Sequence, residues 1–329
     1  MSLSMLAGLT PESYRRHALH GEDAAWPEKN CYADLWIGFL HTLGLEPLAM
    51  LPFTVAVDFE GDQWTFFKPP LEDLRALYGV DVQELTVWRP LLEHAQEHLA
   101  AGKLICTESD AFWLPDTAGT DYRRAHAKTT ILMAQLDVQR ERLGYFHNAG
   151  YHELSGEDFR QTFRLDAPDP ATAMLPLFAE LVHIDRVVRR DSEELRELSF
   201  ALLRRHHAWR PRSNPFSRFA ARLAQDLPAM RAHGVEHYHR WAFASVRQAG
   251  AAFELLGAHL RWLAADGDPQ LAQAAASFES IAQANKTLIL KGARAVATGK
   301  PLQADELLQG MAGDWEQGMG LLGRLLPQD

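Results

Sequence analysis

Residues 129–146 read TTILMAQLDVQRERLGYF, and this stretch decides the fold class of the first half of the chain. The runs at residues 129–134 and 142–146 are rich in β-branched and aromatic residues, which favours two strands. Residues 137–141 between them are polar and predict a turn. Since antiparallel strands can be joined by so short a connection, the stretch predicts an antiparallel pair.

Segments on both sides of this pair extend the pattern. Residues 32–43 read YADLWIGFLHTL and predict a buried helix that ends before Gly44, because glycine readily adopts the left-handed conformation after a helix. Further helices are predicted at residues 70–78 and 91–101, and further strands at residues 53–59, 63–67 and 103–107. Helices packed on a mainly antiparallel sheet make the first half α+β.

The second half of the chain has helical periodicity almost throughout. The predicted helices cover residues 171–190, 193–208, 216–232, 235–265, 270–298 and 304–326. Together they predict an all-α helical bundle. The pattern changes at residues 166–170, which read DAPDP, so we predict two domains, residues 1–166 with the sheet and residues 167–329 with the helices.

Length and charge exclude several classes of protein. With 329 residues, 47% of them hydrophobic, the chain can bury its own core. Its formal charge of −10 argues against nucleic-acid binding, which needs a basic surface. The chain lacks both a leader-like N-terminus and a run of about 18 apolar residues, so we expect no membrane partner. Two cysteines are too few for a disulfide framework, and we expect a cytoplasmic protein.

One of the two cysteines, Cys31, stands directly before the helix predicted at residues 32–43. The positive end of a helix dipole and the free amide groups of the first turn stabilise a thiolate. Cys31 is therefore the candidate nucleophile, and its backbone N–H is a candidate donor to an oxyanion. The alternative is a buried structural thiol, which is also the interpretation for Cys106 within the strand at residues 103–107.

A cysteine nucleophile needs a base and a residue that orients the base. His126 lies just ahead of the strand at residues 129–134, and Asn148 lies just after the strand at residues 142–146. We predict that His126 is the base and that Asn148 orients its imidazole. His147 is a rival base, although strand alternation directs it to the opposite face from Asn148.

A cysteine at a helix start, a histidine ahead of a strand and an asparagine after the next strand resemble the papain-like cysteine fold. The segment 108–115, ESDAFWLP, resembles the N-terminal domain of the butirosin-biosynthesis acyltransferases, as do Tyr122, His126 and the segment 151–159, YHELSGEDF. The whole chain is also similar to a bacterial family that combines this domain with a helical C-terminal part.

The resemblance implies acyl transfer through a cysteine. The acyl or aminoacyl group would come from the phosphopantetheine thioester of a carrier protein and pass to a small-molecule amine. The implied partner is an acyl or aminoacyl carrier protein. The resemblance implies no permanently bound cofactor, because the phosphopantetheine arm of the carrier protein is the acyl donor. The chain departs from these relatives in two places, since residues 127–129 separate His126 from the strand and Asn148 stands where relatives often have aspartate.

Further residues are candidates for binding. The residues that we predict to contact substrate are Asn30, Trp64, Asp110 and Tyr122. Asp110 would hold an amine or a neighbouring site residue, or would bond only the turn backbone. The candidates for docking the carrier protein form a basic stretch on an acidic chain and are Arg204, Arg205, Arg210 and Arg212. The alternative for these arginines is a solvated surface.

Two other functions fit the same residues. With water as the acceptor, the three catalytic candidates would make a cysteine amidase or peptidase. A protein that kept the fold without the chemistry would be a non-catalytic module that binds a carrier protein. No metal is predicted, because the pair His233 and His237 has no evident third ligand.

Overall fold

The computed structural model describes residues 3–4, 6, 8–166 and 178–326. The chain folds as two compact units, and each draws on separate stretches of sequence. The sheet unit comprises Met1–His17, Cys31–Glu46 and Leu71–Arg190, and the helical unit comprises Ala18–Asn30, Pro47–Pro70 and Asp191–Asp329. This division is more interleaved than the predicted domains 1–166 and 167–329, because two stretches before residue 71 belong to the helical unit.

Strands occur in both units, and most of them form one sheet in the sheet unit. Those in the described residues are β1 (Leu3–Ser4), β2 (Phe59–Glu60), β3 (Gln63–Trp64), β4 (Asp81–Glu84), β5 (Leu104–Asp110), β6 (Lys128–Asp137), β7 (Arg142–His147), β8 (Gly150–Ser155) and β9 (Ala179–His183). One antiparallel sheet has the order β4, β9, β5, β6, β7, β8, and β1 also pairs with β6. The strands β2 and β3 form a separate hairpin in the helical unit.

Helices occur in both units. Those of the sheet unit are α1 (Cys31–Thr42), α2 (Leu71–Tyr78), α3 (Leu91–Ala100) and α4 (Glu157–Thr162). Those of the helical unit are α5 (Ser192–His207), α6 (Pro215–His233), α7 (Val235–Ala244), α8 (Val246–Leu263), α9 (Pro269–Thr298) and α10 (Asp305–Leu325). The expected combination of an α+β part and a helical part is therefore confirmed.

The antiparallel pair predicted from residues 129–146 is confirmed as β6 and β7. Leu132 lies opposite Phe146, and the register shifts by one residue between Met133 and Gln135. The turn after β6 contains Glu141, whose φ of 49° lies in the left-handed region. Two neighbouring strands are thus joined locally, as the polar run between them indicates.

The two faces of this sheet are covered by different elements. One face carries Ile131, Met133 and Tyr145, which are buried in one cluster with Leu92 and Leu99 of α3. The alternate residues point to the opposite face, where α1 packs. There the ring of Phe39 lies 5.6 Å from the ring of Phe146, in an edge-to-face arrangement. Both faces of the sheet are therefore covered where these residues pack.

The helix predicted at residues 171–190 is wrong where the structure describes it. Residues 179–183 form β9, which lies between β4 and β5, with Val182 opposite Val82 on one side and Leu104 on the other. A short apolar run has no periodicity that separates a strand from a helix, and the partners of β9 lie far away in sequence. The remainder of that prediction, residues 167–177, lies outside the described residues.

The strand predicted at residues 53–59 is also largely wrong. Most of it belongs to a 3-10 helix, Pro47–Ala56, and only Phe59 pairs with β3, opposite Trp64. Pro47 at the start of this helix and Pro52 near its middle suit tight turns. The Thr54 hydroxyl donates to the Leu51 carbonyl at 2.7 Å. Local turns therefore override the β propensity of this run.

The helices of the helical unit largely match the sequence pattern. The side chains of Asp191, Asn214 and Asp268 each accept hydrogen bonds from first-turn N–H groups and fix three of the helix starts. The helix predicted at residues 235–265 is divided at Ser245, where φ is −116° and ψ is −74°. Within the described residues, no helix has the length and apolarity needed to cross a membrane.

Candidate active site

Cys31 is the first residue of α1, and its side chain is partly exposed and not in a disulfide. The following residue, Tyr32, is buried, and its hydroxyl donates to the Glu180 carboxylate of β9 at 2.8 Å. This contact fixes the first turn of α1 over the sheet. The Cys31 thiol thus stands at the N-terminal end of a helix of twelve residues, in the half of the chain that contains the sheet.

The second cysteine is different in kind. Cys106 lies in the middle of β5 and is fully buried, in line with its interpretation as a structural thiol. Of the two thiols, only that of Cys31 is open to a substrate.

A histidine and a carboxylate meet at the end of β5. The distance from His126 Nδ1 to Asp110 Oδ2 is 2.6 Å, and the other Asp110 oxygen accepts from the backbone N–H of Phe112 at 3.1 Å. The His126 ring also stacks on the Phe112 ring, with centroids 4.4 Å apart. Among the described residues, no hydrogen bond engages His126 Nε2, so a carboxylate-oriented imidazole presents one free nitrogen to solvent.

Strand alternation places this dyad on the face of the sheet that α1 covers. Cys106 and Asp110 lie an even number of residues apart on β5 and therefore point to the same face. Tyr32 of α1 reaches that face, because its partner Glu180 is directly opposite Cys106 in the sheet. The dyad and the helix that begins at Cys31 thus share one side of the sheet.

Asn148 lies in the tight turn between β7 and β8. His147 and Gly150 pair across this turn, and Asn148 has a φ of 47°, which asparagine tolerates better than most residues. Within the described part of the chain, no hydrogen bond joins the Asn148 side chain to His126. The residue in contact with the His126 ring at Nδ1 is Asp110, whereas Asn148 was predicted to orient this imidazole.

The rival base His147 belongs to a buried network on the opposite face. Its Nδ1 lies 2.5 Å from Asp116 Oδ2, and its Nε2 lies 2.6 Å from Thr129 Oγ1. The Tyr145 hydroxyl donates to the other Asp116 oxygen at 2.5 Å. Since His147 is 1% exposed, this network is closed to a substrate approaching from Cys31.

The charge of Asp116 is stabilised within this network. Burial alone would raise the pKa of its carboxyl, but the hydrogen bond from His147 and the charges of His147 and His152 outweigh burial. The pKa of Asp116 therefore lies below its ordinary value, and the carboxylate persists to low pH. Burial also raises the pKa of Tyr145, whose hydroxyl remains protonated as a donor.

Comparison with known families gives a match over nearly the whole chain. Residues 15–184 match the DUF1839 N-terminal domain, and residues 192–324 match the DUF1839 C-terminal domain. The chain belongs to the DUF1839 family. No curated protein matches it. The first DUF1839 domain ends after β9, so this late strand is part of the domain that contains the sheet.

Tyr122 of this DUF1839 protein anchors the loop that carries His126. Its hydroxyl donates to Asp158 of α4 at 2.9 Å. The neighbouring Arg123 donates to the other Asp158 oxygen at 2.6 Å and lies over the Trp113 ring. These contacts hold the loop between β5 and β6 against α4, and they engage the hydroxyl of Tyr122, a predicted substrate-binding residue.

The two remaining substrate candidates lie in the helical unit. Asn30 is buried and donates from Nδ2 to the Phe67 carbonyl at 3.0 Å. Trp64 is 2% exposed and packs among aromatic rings, with Phe216 4.9 Å and Phe219 5.7 Å away. Their contacts are those of residues that stabilise the core of this unit.

The basic stretch that begins in the last turn of α5 contains exposed and half-buried arginines. Arg204, Arg205 and Arg212 are exposed, and so is Trp209 between them. Arg210 is half-buried and donates to the His207 carbonyl at 2.9 Å. The described surface thus offers three exposed guanidinium groups and an exposed aromatic ring within nine residues of sequence.

The described residues do not bring potential metal ligands together into a cluster. Within residues 8–166 and 178–326, no three His, Cys, Asp or Glu side chains are grouped as a metal site requires. The rings of His233 and His237 lie 4.8 Å apart on neighbouring turns, and they form only a pair.

Asp116 and Thr129 are the polar residues that the sequence analysis did not assign. Asp116 follows Pro115 in a 3-10 helix, Pro115–Thr117, within a loop that sequence pattern alone treats as a turn. Thr129 is one of two neighbouring threonines at the start of β6. The sequence shows an acid, a histidine and a hydroxyl near the ends of adjoining segments. Spacing in the sequence does not show that these three groups are in contact.

Proposed function

We propose that this DUF1839 protein is a cysteine-dependent acyltransferase of papain-like organisation. The observation that supports this most is the 2.6 Å pair between His126 and Asp110 on the sheet face covered by the helix that begins at Cys31. A thiol at a helix start, an imidazole and a carboxylate are the three groups that cysteine acyl transfer uses.

In the first step, the Cys31 Sγ attacks the carbonyl carbon of a thioester while His126 Nε2 takes the thiol proton. The backbone N–H of Cys31 is a donor to the oxyanion. The S–C bond of the donor then breaks, and the departing thiol receives the proton from His126. The product is an acyl group on Cys31.

In the second step, an amine attacks the acyl group on Cys31. His126 takes a proton from the amine, the C–S bond to Cys31 breaks, and that proton returns to the thiolate. Asp110 holds the Nδ1–H of His126 in both steps and so fixes the tautomer that leaves Nε2 as the base. In this proposal Asp110, instead of Asn148, orients the imidazole.

The proposed donor is the acyl or aminoacyl thioester of a carrier protein's phosphopantetheine arm, and the proposed acceptor is a small-molecule amine. A carrier protein as the partner is supported by the exposed residues Arg204, Arg205 and Arg212. Exposed cations on a chain of net charge −10 attract phosphate or an acidic protein surface. Arg210 contributes less, because the half-buried guanidinium already bonds a backbone carbonyl.

The test is the intact mass of the protein after incubation with acyl and aminoacyl phosphopantetheine thioesters. We expect a mass increase of one acyl group, mapped to Cys31 by peptide mass spectrometry. Cys31→Ala should lose the adduct, whereas Cys106→Ala, which changes the fully buried thiol, should retain it. An adduct that persists in Cys31→Ala, or the absence of any adduct with the whole donor panel, would contradict the proposal.

A cysteine amidase is the second candidate, because the His126 side chain is 70% exposed and water can reach it. Product analysis separates the two functions. Release of free acid at the same rate with and without an amine supports the amidase, and an amide product that forms only with the amine supports transfer. A non-catalytic module would bind a carrier protein and form no adduct on Cys31.

A further inference from the structure

A cleft of about 460 Å³ lies in the helical unit, between α6, α10 and the segment that joins α9 to α10. Its walls are mainly aliphatic, with Leu223 and Leu227 of α6 facing Leu302 and Leu308. The size is within the range of pockets that hold small organic ligands. The lining therefore suits a flexible hydrocarbon chain.

Arg231 is the cation among the residues that line this mainly aliphatic cleft. Arg231 of α6 donates from Nη2 to the Lys300 carbonyl at 2.7 Å. Its Nε is buried and has no hydrogen-bond partner among the described residues. A buried N–H without an acceptor is unfavourable, and a guanidinium with an unused donor is a ready site for a carboxylate.

The acidic residue at the cleft does not neutralise this cation. Asp305 begins α10 and is exposed to solvent, where water screens its charge. Arg231 forms no ion pair within 4.0 Å in the described residues, Asp305 included. The guanidinium charge thus remains available to a ligand that enters the cleft.

We propose that this cleft binds an aliphatic chain that ends in a carboxylate. The chain would lie along the leucines, and the carboxylate would pair with the guanidinium of Arg231. This site is independent of the proposed acyl transfer, because none of its residues belongs to the sheet unit.

The test is titration calorimetry of the full-length protein with decanoate, with decanol and acetate as matched ligands. We expect one decanoate to bind, decanol to bind at least ten-fold more weakly, and acetate to give no measurable binding. The first comparison removes the carboxylate and the second removes the chain, so both parts of the ligand are tested.

Three variants assign the binding to this cleft. Arg231→Gln should weaken decanoate at least ten-fold, and Arg231→Lys, which keeps the charge without the Nε–H, should lie between it and the unmodified protein. Ala224→Phe, which fills the cleft, should abolish binding. Arg240→Gln changes an exposed arginine of α7 away from the cleft and should leave affinity unchanged. Circular dichroism checks the fold of each variant.

Several results would overturn the proposal. The proposal is wrong if decanoate fails to bind at millimolar concentration. It is also wrong if Arg231→Gln or Ala224→Phe binds decanoate with the affinity of the unmodified protein. Self-association that Ala224→Phe abolishes, measured by sedimentation, would show that a second copy of the chain occupies the cleft instead.

Discussion

His126 Nδ1 lies 2.6 Å from Asp110 Oδ2, and the Asp110 carboxylate also accepts from the backbone N–H of Phe112. Asp110 therefore holds both the imidazole and the start of the loop that leads to it. The remaining nitrogen of His126 faces solvent. In the proposed mechanism this relationship decides which nitrogen of His126 acts as the base.

Replacing Asp110 by asparagine should slow acyl transfer while leaving the fold intact. The asparagine amide keeps the shape of the side chain and the bond to Phe112, but it permits the opposite imidazole tautomer. The same replacement of the aspartate that orients the histidine of a catalytic triad costs orders of magnitude in rate. We expect a loss of at least about 100-fold in kcat, measured as amide formation. Glu108→Gln is the matched control, since Glu108 lies on β5 with Asp110 but pairs with Lys128 of β6. Equal losses in both variants would contradict the role of Asp110.

Asp116→Asn should destabilise the sheet unit. The carboxylate is buried between His147 and Tyr145, and removing one partner of a buried charged network costs about 3 kcal/mol. Because the folded-state pKa of Asp116 is lowered, its contribution is present above about pH 4 and is lost as the pH falls through the folded-state pKa.

Urea unfolding at pH 7 and pH 3 measures this effect. We expect a large difference between Asp116→Asn and the unmodified protein at pH 7 and a smaller one at pH 3. The exposed acid of α2 provides the control, and Glu72→Gln should change stability little at either pH. A difference that is independent of pH would show that the Asp116 charge does not stabilise the fold.

His207 should make the helical unit sensitive to acid. It is buried with neither ring nitrogen hydrogen-bonded in the described residues, and burial together with the charge of Arg210 lowers its pKa to about 4. Between the ordinary histidine pKa of about 6.5 and pH 4, protons bind the unfolded chain first, so stability falls as the pH falls.

His207→Leu removes that titration. We expect the variant to gain about 2 kcal/mol relative to the unmodified protein between pH 7.5 and pH 4.5, measured by urea unfolding at each pH. His259 is the comparison, because burial also lowers its pKa to about 4 but its Nδ1 lies 2.9 Å from the Leu48 carbonyl. A variant whose stability follows the same pH dependence as the unmodified protein would exclude His207 as the source.

Gly79 should not tolerate a side chain. It follows α2 with a φ of 69°, and a Cβ there would lie 2.1 Å from the Arg186 carbonyl oxygen. Both backbone strain and this contact oppose substitution, so Gly79→Ala should lose about 3 kcal/mol. Gly119→Ala is the control, since a Cβ there meets nothing within 4 Å. Thermal unfolding of both variants checks the expectation, and equal melting temperatures would disprove it.

Local sequence signals were sufficient where an element is stabilised by its neighbours in the chain. The helix observed at Cys31–Thr42 was predicted within one residue, because its apolar run ends at a glycine. By contrast, β9 was predicted as a helix, since its pairing with β4 and β5 depends on residues far away in sequence. The 3-10 helix Pro47–Ala56 was missed because its turns override β propensity.

The candidate site was predictable as a set of residue types but not as a set of contacts. The sequence pointed to His126 as the base, and it left Asp110 to hold an amine, to hold a neighbouring site residue or to bond only the turn backbone. In the structure Asp110 contacts both His126 and the backbone N–H of Phe112. The prediction that strand alternation separates His147 from Asn148 does not apply, because β7 ends at His147 and Asn148 lies in the turn with a positive φ. The partner of that network, Asp116, lies in a loop, and loop side chains have no periodicity from which their direction can be inferred.

The most direct measurement of the central claim is the single-turnover rate at which a thioester acylates Cys31 in His126→Ala. If Cys31 and His126 act together, this rate should fall by at least about 100-fold, and added imidazole should restore part of it through the exposed site left by the missing ring. Acylation of Cys31 in His126→Ala at the rate of the unmodified protein would contradict the account.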